Sequence, residues 1–270
     1  CGESVRIPSP EDDLLEYRDA LLEIAARPDV KTILPTRSRD TYIFSRYQSL
    51  FEAHVSLVTP PMETLRTVHD RAKLVDAARD AGVPVPETKL LSEATESDRP
   101  KIVKSRYNVL ASEYIDTYSE RESAVEKTIT HLRPEDELDK EVLRRTMGHE
   151  PIVQEYIPSS HEYLFGALYD HGEPLATFQH RQIRGNSYTG GGGVYRKSTD
   201  IPELDRVAKT LLESMDYHGL ACIKYMKHAE TGEFYLTEIN PRLWQSVPCA
   251  IRVGADFPWY YYLHATGRTD

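Results

Sequence analysis

The stretch Phe234-Tyr235-Leu236-Thr237-Glu238-Ile239-Asn240-Pro241-Arg242 combines an apolar strand with a polar end. Its aromatic and branched residues favour a β-strand, and Pro241 predicts the end of that strand because proline cannot donate a ladder hydrogen bond. Side chains alternate along a strand, so Glu238 and Asn240 project from one face. Their carboxylate and amide oxygens, followed by the Arg242 guanidinium, suit a hard cation that bridges phosphate oxygens. The alternative is a surface strand end with scattered polar residues.

An apolar segment, residues 220–227, precedes this strand and predicts an antiparallel hairpin. If Glu230-Thr231-Gly232 is a three-residue loop with its glycine in the left-handed conformation, Lys224 lies directly opposite Glu238 on the same face. The pattern therefore places a lysine beside the two candidate metal ligands.

Length and composition limit the classes of protein that this chain can represent. Its 270 residues, 40% hydrophobic and 28% charged, are typical of a soluble globular protein with one large or two to three small domains. The net charge of −10 argues against an extended nucleic-acid surface. The cysteines (Cys1, Cys222 and Cys249) are few and widely spaced, so they indicate neither a disulfide framework nor a zinc site. With no membrane-span or signal-peptide pattern, we expect a cytoplasmic protein.

Residues 1–62 predict part of a parallel α/β layer. Ser9-Pro10-Glu11-Asp12-Asp13 is typical of a helix start. Strands at 31–34 and 54–58 flank a helix at 40–53, and this alternation favours parallel units. So few elements suggest a partial Rossmann-like region whose beginning precedes Cys1.

The middle of the chain adds two candidate lysines. Lys73 lies in a long predicted helix, residues 63–81, where the alternative is a solvated side chain. Lys104 ends a predicted strand and is followed by the polar segment 105–108, which we expect to be mobile. The rest of the sequence predicts amphipathic helices at 119–131 and 135–147, a buried strand at 151–158 and a hairpin at 161–184. It also predicts a glycine-rich loop at 189–193 and helices at 202–217, 244–253 and 257–265.

In this order and spacing, these features resemble the ATP-grasp superfamily, in particular its carboxylate–amine ligase branch, with an ATP-binding core similar to those of biotin carboxylase and D-alanine–D-alanine ligase. The resemblance runs from about residue 64 to residue 267. It implies an α+β fold in which two α+β lobes hold ATP between antiparallel sheets. We expect a partial Rossmann-like region at 1–62, a small lobe with linker at 63–157 and a C-terminal lobe at 158–270. The motifs that carry the resemblance are Asp70-Arg71-Ala72-Lys73, Gly82-Val83-Pro84-Val85-Pro86, Ile102-Val103-Lys104, Gln154-Glu155-Tyr156-Ile157, residues 181–193 and Glu238-Ile239-Asn240-Pro241-Arg242.

The resemblance implies roles for residues that bind the phosphates and the metal. Lys73 and Lys104 would approach the nucleotide phosphates as point charges. Glu238 and Asn240 would hold Mg²⁺ against the terminal phosphates.

The resemblance also implies which residues bind the nucleoside. The side chain of Gln154 and the backbone of Glu155 and Ile157 would contact the adenine edge. Glu162, or alternatively His161, would bind the ribose.

The chemistry that the resemblance implies has two steps. A carboxylate attacks the γ-phosphate of ATP, and an amine or similar nucleophile then displaces phosphate. Arg184 and Arg242 would steady the γ-phosphoryl group and the acyl phosphate, because phosphoryl transfer needs mainly positioning and charge neutralisation. The segments 105–108 and 190–193 would be closing loops that exclude water. Small-molecule carboxylate and amine substrates are the expected partners.

One residue departs from the family pattern. The family places an acid on the penultimate strand as a second metal ligand, and Lys224 stands there. An ammonium cannot ligate a cation, so we expect Lys224 to pair with Glu238 and supply the charge of a second ion. The site would then hold one Mg²⁺ rather than two. The competing hypothesis is an inactive nucleotide-binding protein with a regulatory or scaffolding role.

Overall fold

The computed structural model describes residues 2–185 and 193–268. Within these ranges the helices are α1 (Leu14–Ala25), α2 (Ser38–Arg46), α3 (Gln48–Glu52), α4 (Met62–His69), α5 (Arg71–Asp80), α6 (Lys140–Met147), α7 (Pro202–Ser214), α8 (Val247–Arg252) and α9 (Phe257–Ala265). The strands are β1 (Thr88–Leu90), β2 (Lys101–Lys104), β3 (Leu110–Ala111), β4 (Ser123–Ala124), β5 (Ile129–Leu132), β6 (Ile152–Glu155), β7 (Ser159–Asp170), β8 (Glu173–Gly185), β9 (Gly193–Thr199), β10 (Gly219–His228) and β11 (Phe234–Asn240). Among these helices, none has both the length and the apolar character of a membrane span.

Two antiparallel sheets dominate the fold. The smaller sheet has the strand order β1-β6-β2-β5, and the larger has the order β11-β10-β7-β8-β9. Every neighbouring pair in both sheets is antiparallel. The predicted α+β class with two antiparallel sheets is confirmed.

The larger sheet is covered on both faces. One face packs against α7 and α5 through Phe165, Ile223 and Leu211. The other face packs against the C-terminal helices, where Trp244 lies over Gly166 so closely that a Cβ there would be 2.4 Å from the indole ring. This contact fixes the chain that leaves β11.

The N-terminal region differs from its prediction in detail. The two predicted strands meet only at a single parallel bridge between Thr32 and Ser56. The predicted helix 40–53 is divided into α2 and α3 at Tyr47. Helix α1 begins at Leu14 because the Asp13 carboxylate caps it. The Rossmann-like assignment stays a prediction.

The predicted helix 63–81 is two helices. The chain breaks at Asp70, whose φ of −93° and ψ of 103° are extended. Its carboxylate accepts a hydrogen bond from Ala72 N (3.0 Å) and therefore caps α5. An apolar stripe continues through both helices, so hydrophobic spacing alone could not detect the break.

The predicted helix 119–131 is wrong. Its segment contains β4 and β5 instead, and β5 pairs with β2, with Leu132 opposite Lys101. Pairing with a strand distant in the sequence overrides the local helical pattern. The second predicted helix, 135–147, begins only at Lys140, because Asp139 caps it.

Candidate active site

The polar end of β11 has the geometry expected from its sequence. Glu238 and Lys224 are direct cross-strand partners, and Lys224 Nζ lies 2.8 Å from Glu238 Oε1. Asn240 donates from Nδ2 to the same carboxylate oxygen at 3.0 Å. The predicted juxtaposition of Lys224 and Glu238 is therefore confirmed.

The register that produces this pair arises differently from the prediction. His228 N donates to Glu233 O (2.9 Å), which leaves a four-residue loop, 229–232, instead of three residues. A β-bulge at Thr237 then restores the register, since Tyr225 pairs with Leu236 but Lys224 pairs with Glu238.

The bulge also brings Lys104 to the site. Lys104, at the end of β2, donates from Nζ to Thr237 O at 3.3 Å. Its side chain thus crosses from the smaller sheet to the larger one and is buried. The Lys104 side chain therefore links the smaller sheet to the larger one at the bulged residue, Thr237.

Arg71 completes the cluster, and sequence reasoning missed its role. Its Nη2 lies 3.1 Å from Glu238 Oε2, and its Nη1 donates to Ser105 O at 2.9 Å. Arg71 is the first residue of α5, directly after the capping Asp70. The sequence signal that could have revealed this role is the capping Asp70, because a helix that begins at residue 71 restricts where the Arg71 side chain can point. The "cation cluster" is hereafter Arg71, Lys104 and Lys224 around Glu238.

The segment 105–108, predicted to be a mobile closing loop, is held by hydrogen bonds to its neighbours, and its role as a closing loop stays a prediction. Arg106 forms a two-pronged ion pair with Asp70, with Nη2 2.6 Å from Oδ2. Arg71 N donates to Arg106 O (2.8 Å), and Asn108 Nδ2 donates to Ile239 O (2.9 Å). These bonds fasten the segment to α5 and β11. The other predicted closing loop, 190–193, lies outside the described residues except for Gly193.

Opposing charges set the protonation states of the cluster. Burial by itself raises the pKa of the Glu238 carboxyl, but Lys224 and Arg71 lower it more, so the pKa lies well below its usual range. The Glu238 charge raises the pKa of Lys224. Burial and the nearby Arg71 lower the pKa of Lys104 to about 7. Lys104 can therefore gain a proton when an anion arrives.

Three predicted phosphate or acyl-phosphate ligands occupy different positions relative to the cluster. Arg242 Nη2 lies 3.4 Å from Asn240 Oδ1, so its guanidinium is beside the predicted metal ligands. Lys73 is on the exposed side of α5, and Arg184 is exposed near the end of β8. Their roles remain predictions.

The predicted nucleoside-binding residues lie at the ends of β6 and β7. Gln154 is buried and donates to Thr88 Oγ1 (2.9 Å), while Glu155 N donates to Glu87 O (2.8 Å). Ile157 is buried. Burial raises the pKa of Glu162, and the Lys224 charge opposes this effect.

The cation cluster suits an anion with several negative oxygens. Arg71 and Lys224 contact the Glu238 carboxylate, and Lys104 donates to the neighbouring Thr237 O. The buried Nε of Arg71 has no hydrogen-bond partner among the described residues. A phosphate oxygen would satisfy that donor. Glu238 and Asn240 supply the oxygen donors that Mg²⁺ prefers. Both Glu238 oxygens already contact cations, so an ion would have to share or displace these contacts.

The family comparison agrees with this fold. Residues 68–246 match the family model described as an ATP-grasp domain. The chain therefore belongs to the ATP-grasp family.

Relatives share parts of this chain. Acetyl-CoA carboxylase 1 of Oryza sativa subsp. japonica is 41% identical over 46 residues, which are 17% of this chain and 2% of that protein. The biotin carboxylase domain of Hydrogenobacter thermophilus 2-oxoglutarate carboxylase, solved with MgADP, ADP and bicarbonate, is 16% identical with a TM-score of 0.69, covering 94% of this chain and 58% of that one. L-amino acid ligase from Bacillus licheniformis is 13% identical with a TM-score of 0.61, covering 89% and 56%. The chain thus spans little more than half of these solved chains.

Proposed function

We propose that this protein is an ATP-dependent ligase that activates a small carboxylate as an acyl phosphate and joins it to an amine or similar nucleophile. The observation that carries this proposal is the convergence of Arg71, Lys104 and Lys224 on Glu238, where the two sheets meet. Membership of the ATP-grasp family and the fold shared with a carboxylase domain and an amino acid ligase support it. The division into regions at 1–62, 63–157 and 158–270 is part of the proposal.

The cation cluster would bind the triphosphate. Arg71 offers a buried, unpaired Nε–H, and Lys104 would become fully charged as the phosphates approach. Lys73 would add a further point charge from the exposed side of α5. Arg242 and Arg184 would neutralise charge on the transferred phosphoryl group, which is the main requirement of phosphoryl transfer.

The nucleoside would lie at the ends of β6 and β7. Gln154 and the backbone of Glu155 and Ile157 would contact the adenine. Glu162, whose pKa is raised by burial, would accept a hydrogen bond from a ribose hydroxyl group.

A single Mg²⁺ would bind through Glu238 and Asn240. When bound, the ion would neutralise charge on the terminal phosphates. Lys224 Nζ lies 2.8 Å from Glu238 Oε1. Its positive charge would take the place of the charge that a second metal ion would supply. This arrangement also favours the competing hypothesis, a protein that binds nucleotide without turnover.

ADP formation separates the two hypotheses. The protein would be incubated with ATP and Mg²⁺, with and without a pool of amino acids and short carboxylic acids. A ligase forms ADP at a rate that rises with its acceptor and falls sharply in Glu238→Gln. Nucleotide binding without ADP formation for any acceptor would support the inactive alternative.

The Lys224→Glu variant tests the single-metal proposal. Because a carboxylate replaces the fixed cation, we expect the Mg²⁺ stoichiometry with bound nucleotide to rise from one to two and ATP turnover to change. Lys227→Glu, on the same strand beyond the bulge, is the control. Unchanged stoichiometry and turnover in Lys224→Glu would contradict the assignment.

A further inference from the structure

A histidine–aspartate cluster lies at the end of the larger sheet that is remote from the cation cluster. Asp170 is the last residue of β7, whereas Glu162, near the other end of this strand, faces Lys224. At about 3.4 Å per residue, these two positions on β7 are roughly 27 Å apart. The "distal cluster", defined here as Asp170, His218 and His264, is therefore separate from the candidate active site.

The three side chains converge on a small volume. One ligand atom from each lies within 4.8 Å of the other two. Asp170 Oδ1 is 3.3 Å from His218 Nδ1 and 3.7 Å from His264 Nε2. A tetrahedral Zn²⁺ ion with bonds of 2.0–2.2 Å separates its ligand atoms by about 3.3–3.5 Å. The two distances from Asp170 Oδ1 are close to this spacing.

Main-chain contacts position two of the three residues. Asp170 begins the β7–β8 turn, and Gly172 N in this turn donates to Tyr217 O (2.9 Å), the residue before His218. Gly219, directly after His218, pairs with Tyr169, directly before Asp170. The ligand positions on these two segments are thus set by the sheet rather than by the side chains themselves.

Helix α9 brings the third residue. His264 lies in its last turn, and Tyr261, one turn earlier, is buried. The Tyr261 hydroxyl donates to Ile33 O (3.0 Å) and accepts from Val58 N (3.1 Å). These bonds anchor α9 to the N-terminal region, and Tyr261 also lies in one hydrophobic core with Leu168 of β7, so α9 holds His264 beside the sheet.

His218 has the environment of a metal ligand. Its Nδ1 is buried and makes no hydrogen bond of acceptable geometry to any described residue, although Asp170 lies close. A neutral imidazole offers such a nitrogen lone pair to a metal ion. The His171 ring stacks on the His218 ring with a centroid distance of 4.4 Å.

We propose that Asp170, His218 and His264 bind one divalent transition-metal ion of the Zn²⁺ type. The side chain of Asp170 is 41% exposed and that of His264 is 27% exposed, so an ion can enter from solvent and keep a water ligand. Two histidines and a carboxylate from distant parts of the sequence form no spacing motif. The bound ion joins α9 to the β7–β8 turn.

Calorimetric titration with ZnCl₂ tests this site. The chelator-treated protein, without nucleotide or Mg²⁺, is expected to bind one equivalent of Zn²⁺. His264→Gln and His218→Gln are each expected to lose more affinity than the roughly 10–100-fold that removal of an outer-sphere partner costs. His54→Gln, an exposed histidine elsewhere, and Glu238→Gln, in the candidate active site, are expected to bind like the wild type.

The visible spectrum of the Co²⁺-loaded protein identifies the donors. We expect d–d bands without thiolate charge-transfer bands, and the loss of the d–d bands in His264→Gln. Because the His264 side chain is partly exposed, this variant is the less prone of the two histidine variants to unfold. The proposal is overturned if the wild type binds no stoichiometric Zn²⁺. It is equally overturned if both histidine variants bind Zn²⁺ like the wild type, or if Glu238→Gln alone abolishes binding.

Discussion

Replacing Lys104 by methionine should stabilise the ligand-free protein and weaken its binding of ATP. Burial and Arg71 lower the pKa of Lys104 from 10.5 to about 7. A pKa difference of this size corresponds to roughly 4–5 kcal/mol at 1.4 kcal/mol for each tenfold change. The variant also loses the hydrogen bond to Thr237 O and leaves that carbonyl unpaired, at a cost of about 1–3 kcal/mol. The net expected stabilisation at neutral pH is roughly 1–4 kcal/mol.

The pKa values of Lys104 in the folded and unfolded protein determine how the stability difference between the variant and the wild type changes with pH. The unfolded chain keeps the Lys104 proton up to about pH 10.5, whereas the folded protein releases it near pH 7. The destabilisation caused by burying the Lys104 charge therefore has its full value below pH 7 and decreases to zero as the pH rises towards 10.5. Urea denaturation at pH 6, 7 and 9 should show the advantage of Lys104→Met shrinking as the pH rises.

ATP binding should change in the opposite direction. Loss of a charged hydrogen bond worth about 1.5–3 kcal/mol weakens binding roughly 10–100-fold. Because phosphates favour the charged amine and Lys104 is about half protonated near pH 7, ATP binding there should take up a fraction of a proton. Calorimetry in buffers of different ionisation enthalpy measures this uptake. This proton uptake should vanish in Lys104→Met.

The control is Lys101→Met on the same strand. Lys101 Nζ donates to Thr95 O in an exposed position, so we expect the free energy of unfolding of Lys101→Met to differ from that of the wild type by less than about 0.5 kcal/mol. The reasoning is refuted if Lys104→Met is less stable than the wild type at pH 6–7 while binding ATP with unchanged affinity.

Two further variants test the site and the core. Arg71→Ala should weaken ATP binding more than Lys73→Ala does in equilibrium titrations, because Arg71 lies in the cation cluster and Lys73 is exposed; equal effects would contradict this ranking. Gly166→Ala should destabilise the protein by roughly 1–3 kcal/mol in urea denaturation, because its Cβ would overlap the Trp244 ring. Adding Trp244→Phe should recover part of that loss, and its failure to do so would exclude this overlap as the cause.

The sequence correctly predicted those helices and strands that are determined by residues close together along the chain. The β10–β11 hairpin, α7 and α9 have turn residues, caps or apolar spacing that act over a few neighbours. The pairing of Lys224 with Glu238 was also predicted, although a longer loop and a compensating bulge produce it.

The failures share a physical cause. The segment 119–131 has a helical pattern, but the edge of β2 offers backbone partners that a helix there would leave unpaired. At the helix break, Asp70 is also paired with Arg106, which is distant in the sequence. A single sequence contains no signal for such pairings, because they form only when the sheets meet.

The sequence by itself determined the polar strand end, its lysine neighbour and the ATP-grasp order of motifs, because each depends on strand alternation or residue order. The tertiary structure alone decided that Arg71 contacts Glu238 and that Lys104 reaches Thr237 O. It also decided that Asp170, His218 and His264 converge. These contacts join residues from separate elements, and the positions of those elements follow from packing two sheets and their helices around common cores.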